Sequence, residues 1–112
     1  MQLPNANRAV ISESKTSDYL FDAQHKDNGG KWRLFQALGY TQANWQQFET
    51  DVRQQHLILD DIEVQPNDYA RRFRIDGELR GPLGSARIRT TWAIPFGTDV
   101  PHLTSAYQVR QR

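Results

Sequence analysis

The chain of 112 residues contains no cysteine, which excludes disulfides, thiolate metal sites and a thiol nucleophile. No stretch approaches the roughly 18 apolar residues of a membrane span. Met1-Gln2-Leu3-Pro4-Asn5 has neither the basic start nor the apolar run of a secretion signal. The expectation is a cytoplasmic chain without a membrane partner. No HExxH, GxSxG or GxGxxG occurs, and no GxxxxGK followed by Ser or Thr, so zinc-protease, serine-hydrolase and common nucleotide-binding signatures are missing. Asp60, Asp61, Glu63 and Asp68 lack the spacing and the glycine of a calcium loop and read as a charged loop. No metal or cofactor is expected. Net charge is also small, at +1, but it is uneven. Residues 1–70 carry six basic and ten acidic side chains, whereas 71–112 carry eight arginines against Asp76, Glu78 and Asp99. Such asymmetry hints at a polyanionic partner.

What is present reads as one α+β domain, 1–112, with N-terminal helices packed on one face of a C-terminal antiparallel sheet of about four strands. Residues 1–56 form the mainly helical layer and 57–112 the mainly sheet layer. Ala9-Val10-Ile11 reads as a short edge strand, and Ser12 or Ser14 caps a short helix running to about Phe21. His25 to Gly30 is a polar loop. Trp32, Phe35 and Leu38 fall at helical spacing before Gly39, a C-terminal stop; Thr41 caps a further helix with Trp45, Phe48 and Val52 as its stripe. These aromatics and Trp92 are assigned to the core. Leu57-Ile58-Leu59 is read as a strand, Asp60 to Asp68 as an exposed loop, and Pro95 to Pro101 as a loop before a last strand, His102–Val109. Residues 110–112 are a frayed basic tail.

The clearest local signal is Arg71 to Ile94, two strands joined by Gly81-Pro82-Leu83-Gly84. Phe73, Ile75 and Leu79 alternate on the first strand, and Ile88, Thr90, Trp92 and Ile94 on the second. With Gly81 facing Gly84, Phe73 faces Trp92, and the apolar sets share a face. The opposite face carries Arg72, Arg74, Asp76, Glu78, Arg80, Arg87, Arg89 and Thr91. In this register Asp76 opposes Arg89 and Glu78 opposes Arg87, pairs that would neutralise or orient two arginines. Alternation on the last strand puts Leu103, Ser105, Tyr107 and Val109 inward, so His102 and Thr104 join the arginine face. Arg74, Arg89, Thr91 and Thr104 then make a patch sized for one phosphate. The bland reading is a solvated face laced with ion pairs.

Leu3-Pro4-Asn5, Lys31 to Thr41 (KWRLFQALGYT), Thr90-Thr91-Trp92-Ala93-Ile94 and His102 to Tyr107 (HLTSAY) together resemble a family of small bacterial domains catalogued as a domain of unknown function. The resemblance spans nearly the whole chain, with departures at Trp32, where Ala is common, and at Ser105. Similar domains stand alone as toxin–antitoxin components or end large polymorphic toxins. Their layout is similar to the barnase–EndoU–colicin–RelE group of metal-independent ribonucleases. That likeness implies a proton acceptor for the 2′-hydroxyl, a donor for the leaving 5′-oxygen, and cations around the phosphorus. The candidates are His25, Lys31, Arg89, Thr91 and Thr104 for catalysis, and Arg72, Arg74, Arg80, Arg87 and His102 for phosphate or RNA binding. His25 is also readable as an ordinary loop residue and Lys31 as a solvated lysine. His56, at a helix end where positive charge suits the dipole, is structural. Three functions stay open: a ribonuclease-like toxin, an interaction module binding an acidic antitoxin or immunity protein, and an RNA binder that does not cleave.

Overall fold

A computed structural model describes residues 2–25 and 29–109. Helices come first, then a four-stranded antiparallel sheet in the order β1-β2-β3-β4: β1 Ile62–Val64, β2 Ala70–Arg80, β3 Ser85–Pro95 and β4 His102–Gln108. The β2–β3 pairing runs from Ala70↔Pro95 to Arg80↔Ser85 and includes Phe73↔Trp92, the register the turn residues imply. Gly81 donates its N–H to the Gly84 carbonyl at 2.8 Å and closes the turn. A Cβ on Gly81 would lie 2.3 Å from the Leu38 carbonyl oxygen and 2.9 Å from the Tyr40 ring. Glycine is therefore required there by close approach, and the turn docks against the end of the first helix.

That helix, α1, spans Lys31–Leu38 and stops at Gly39, whose φ of 98° is the left-handed conformation a terminator needs. A 3₁₀ turn, Gln42–Asn44, leads into α2, Trp45–Gln55. Asn44 ties this entry at both ends. Its side chain accepts from the Thr41 N–H at 2.6 Å and donates to the Gly39 carbonyl at 2.9 Å. Before α1, the segment from Ser12 forms a π-helical turn over Thr16–Leu20. Phe35, Leu38, Phe48 and Val52 from the helices meet Phe73, Ile75, Leu79, Ile88, Trp92, Leu103 and Ala106 from the sheet. Each such large side chain contributes roughly 1.5–3 kcal/mol by leaving water. Trp32 is an exception to the core assignment: it is half-buried, and the Arg33 guanidinium stacks 5.4 Å from its ring.

His56, the C-cap of α2, is fully buried. Its Nε2 lies 3.1 Å from the Gly77 carbonyl and its Nδ1 3.1 Å from Thr90 Oγ1, which also accepts from Trp92 Nε1 at 2.9 Å. The Gly77 carbonyl can only accept, so Nε2 carries the proton; Nδ1 then accepts from the Thr90 hydroxyl. Every partner is satisfied by neutral imidazole. Burial accordingly pushes the His56 pKa down, which replaces the cationic helix-end role with that of a neutral bolt between α2 and the sheet.

Three further expectations change. Leu57 to Leu59 is a turn, with Leu57 folded back under α2 through its N–H to the Val52 carbonyl at 3.0 Å. The first strand lies instead at Ile62–Val64, inside the stretch read as a loop, and the turn that follows is held by Asn67 Oδ1 accepting from the Tyr69 and Ala70 N–H groups at 2.8 Å. Val10 bridges His102 in parallel as an isolated contact at the β4 edge. The basic tail falls on residues outside those described.

Candidate functional site

The face of the sheet turned away from the helices carries alternate residues of β2 and β3. Register sets Arg72 beside Ala93, Arg74 beside Thr91, Asp76 beside Arg89, Glu78 beside Arg87 and Arg80 beside Ser85. Asp76 and Arg89 form a two-point ion pair, Nε–Oδ1 at 2.7 Å and Nη2–Oδ2 at 2.9 Å. The hydrogen bond from Arg89 holds the Asp76 carboxyl below its usual range, with the charges of Arg74 and Arg87 adding to the effect. Conversely, Asp76 and then the Tyr107 hydroxyl raise the Arg89 pKa, so its guanidinium stays charged. Glu78 behaves differently from expectation. Its ion contact among the described residues is with Arg80, at 3.7 Å, although Arg87 is its strand neighbour. Arg87 is exposed and points to no acidic partner among those residues.

Arg89 of this pair also lines a pocket of about 250 Å³, walled by Val64 of β1, Arg72 and Arg74 of β2, Arg89 and Thr91 of β3, and Thr104 and Tyr107 of β4, with Phe73 and Trp92. The structure thus brings Arg74, Arg89, Thr91 and Thr104 together, with Arg72 beside them. Arg72 Nε donates to the Gln65 carbonyl at 2.8 Å, which fixes its side chain without neutralising it. Thr91 and Thr104 hydroxyl oxygens are 2.7 Å apart, and Thr91 Oγ1 is 3.2 Å from the Ser105 carbonyl. One hydroxyl proton lies between the two oxygens. At most one remains for a ligand, so the threonines line the pocket more than they donate to it.

Arg74 is the unusual member. Its Nε is buried and has no hydrogen-bond partner among the described residues, and the same is true of Ser105 Oγ. Arg74, Thr91 and Ser105 occupy one register row across β2, β3 and β4. Both orphaned atoms therefore fall on the row that crosses the pocket. A buried donor left unpaired costs about 1–3 kcal/mol, a penalty an acceptor oxygen in the pocket would relieve at Arg74.

Tyr107 was expected in the core and lines the pocket instead. The β3–β4 pairing shifts register between Thr91 and Trp92: Thr91 pairs with Ser105 but Trp92 with Leu103, leaving Thr104 as an extra residue. This bulge flips the faces of everything after it, so Ala106 is buried and Tyr107 stands beside Arg89, whose guanidinium carbon is 5.9 Å from the Tyr107 ring. The sequence holds a trace of it, since apolar Leu103 and Ala106 are three residues apart where strict alternation needs an even number.

The other candidates lie outside. Lys31 begins α1, with Nζ 5.9 Å from the Tyr107 ring and 3.5 Å from the Tyr19 hydroxyl, at the pocket's flank. His25 packs edge-on against Tyr19, ring centroids 5.0 Å apart, and is not a wall of the pocket. His102 is exposed beside Ala93, next to Val10. Arg80 is drawn to the far end of the hairpin, where Gln55 holds its backbone N–H at 2.7 Å and carbonyl at 3.0 Å. Among the described residues no group of three or more His and carboxylate side chains is placed to hold a metal ion, and no helix is long and apolar enough to cross a membrane.

The chain belongs to the family described as domain of unknown function DUF6883, which matches residues 2–110. No curated protein and no solved structure matches it.

Proposed function

We propose that the pocket binds one phosphodiester of RNA and that the chain is a ribonuclease-like domain of the bacterial toxin kind, cleaving without a metal. The observation that carries this reading is Arg74: a buried guanidinium nitrogen without a partner, in a small pocket also lined by Arg72 and Arg89. Asp76 pairs with Arg89, and among the described residues neither Arg72 nor Arg74 forms an ion pair. The volume lies below the roughly 300–1,000 Å³ of sites for drug-sized ligands, which suits one phosphate and part of its sugar. The choice of RNA over other anions comes from the resemblance to toxin domains.

In this mechanism Arg74 and Arg89 hold the non-bridging oxygens and stabilise the charge that builds on them as the RNA 2′-oxygen attacks phosphorus. The 2′-hydroxyl gives up its proton, the bond from phosphorus to the 5′-oxygen breaks, and that oxygen takes a proton. The products are a 2′,3′-cyclic phosphate and a 5′-hydroxyl, so atoms balance without added water. Tyr107, in the pocket, and Lys31, against its ring, are the proton-transfer groups nearest the phosphate. His25 would have to reach past Tyr19 to join them, and the reading no longer depends on it.

One observation favours a second reading, RNA binding without cleavage: neither His25 nor His102 lines the pocket. Purified protein incubated with end-labelled RNA in EDTA separates the two. Cleavage to cyclic-phosphate ends, reduced about 10²–10⁴-fold in Tyr107→Phe, supports the enzyme. Intact RNA with salt-sensitive retention supports the binder. Neither cleavage nor retention, with capture of an acidic protein instead, would overturn both.

A further inference from the structure

On the edge strand β1, the side chains beside the pocket arginines are apolar, although acids lie next to them in the chain. Ile62 opposes Arg74 and Val64 opposes Arg72, so each stands next to its arginine on the pocket face. Val64 is a wall of the pocket; Ile62 follows along the same face and is 50% exposed. Glu63, between them, turns to the opposite face. There it forms a two-point ion pair with Arg71, each contact at 3.0 Å, and the charge of Asp61 acts on the same arginine.

Opposite charges across a strand pair attract, and a shift of one residue would set Glu63 against a pocket arginine. The observed register does the reverse. It gives the acid to Arg71, which does not line the pocket, and leaves Arg72 and Arg74 without an ion pair among the described residues. A ligand that suits this arrangement has two parts. It is anionic over the arginines, and toward the edge of the sheet it presents a neutral, apolar surface to Ile62 and Val64. A second phosphate would not serve on β1, because Asp61 and Asp68 flank the strand in the chain and would repel it. Inorganic phosphate would leave Ile62 in water. A nucleobase is flat, neutral and attached to a phosphodiester through its sugar.

We infer that Ile62 and Val64 form a ledge for the base attached to the phosphodiester in the pocket, so the site recognises a nucleotide and not a bare phosphate. This extension rests on reading the pocket as a phosphodiester site. The ledge acts through apolar area, so it separates base from no base more than one base from another.

Calorimetry tests this with a non-cleavable 2′-O-methyl dinucleotide and its abasic analogue, which keeps the sugars and the phosphodiester but has no bases. Wild-type protein should bind the dinucleotide about tenfold more tightly, the gain from burying roughly 50 Å² of apolar surface. Ile62→Thr retains a β-branched residue suited to a strand, at a half-exposed edge position where the fold tolerates it. It should remove most of the gain while the abasic analogue binds as it does to wild type; Ile62→Val should keep the gain. An abasic analogue bound as tightly as the dinucleotide overturns the ledge and leaves the pocket reading standing. A gain that survives Ile62→Thr, or is lost equally in Ile62→Val, also overturns the ledge. Binding of neither compound overturns both.

Discussion

Thr90→Val exchanges a hydroxyl for a methyl of nearly the same shape at a fully buried β3 position. Valine suits a strand, so backbone preference does not oppose the change. What is lost is the meeting point of Trp92 Nε1–H and His56 Nδ1, at 2.9 and 3.1 Å. Both groups would remain buried, one donor and one acceptor, with nothing to bond. At about 1–3 kcal/mol for each orphaned group, the expected loss is roughly 2–6 kcal/mol. Thr90→Ser keeps the hydroxyl and removes one methyl, at about 1 kcal/mol. Thermal unfolding should therefore fall by roughly 8–24 °C for valine and about 4 °C for serine. If valine is no worse than serine, the threonine hydroxyl does not organise the His56 connection, and its assigned tautomer loses its basis.

Acidity should act on the same group. Burial depresses the His56 pKa in the folded state, so its stabilising contribution is complete above the ordinary histidine value near 6.5 and is lost as pH falls below it. Urea unfolding between pH 7.5 and 5 should show wild-type stability declining with acidification, and a flatter slope in His56→Gln; equal slopes would contradict a buried neutral histidine. Asp76 works in a separate window, contributing above the usual aspartate range and losing that contribution as pH drops through its lowered pKa. Two glycines should differ: Gly81→Ala meets the Leu38 backbone carbonyl and should cost about 2 kcal/mol or more, whereas Gly77→Ala meets only the end of the Leu59 side chain and should cost about 1 kcal/mol or less by chemical denaturation. Asn44→Ala, which unties the entry to α2, should cost about 1 kcal/mol in the same assay.

Much of the fold and part of the site were legible because their causes are local. The turn Gly81–Gly84 fixes the β2–β3 register, and register alone puts Arg74 beside Thr91 and Asp76 beside Arg89. Gly39 and Thr41 mark a helix end and a helix entry through their own backbone and side-chain preferences. The misses arise where a longer-range fact decides. The Thr104 bulge depends on pairing with β3, so alternation counted along β4 by itself put Tyr107 on the wrong face. Opposed charges likewise need side chains that turn toward each other; Glu78 turns along its own strand to Arg80, and Arg87 is left exposed. Ile62-Glu63-Val64 alternates apolar and polar residues, but over only three positions inside an acidic stretch, and its pairing with β2 is what makes it a strand. Nothing local to Lys31 indicated that its ammonium would lie between Tyr19 and Tyr107.

In the proposed function the Arg74 Nε, unpaired among the described residues, is a phosphate ligand. The direct measurement is the ¹⁵N-edited NMR signal of the Arg74 Nε–H group during titration with a non-cleavable 2′-O-methyl dinucleotide, with Arg74→Lys as the assignment and binding control. This signal should shift downfield and sharpen on saturation, the exposed Arg87 Nε–H signal should move little, and Arg74→Lys should weaken binding by about tenfold or more through loss of the planar donor geometry. An Arg74 signal unchanged at saturating dinucleotide, or full affinity retained by Arg74→Lys, would contradict it.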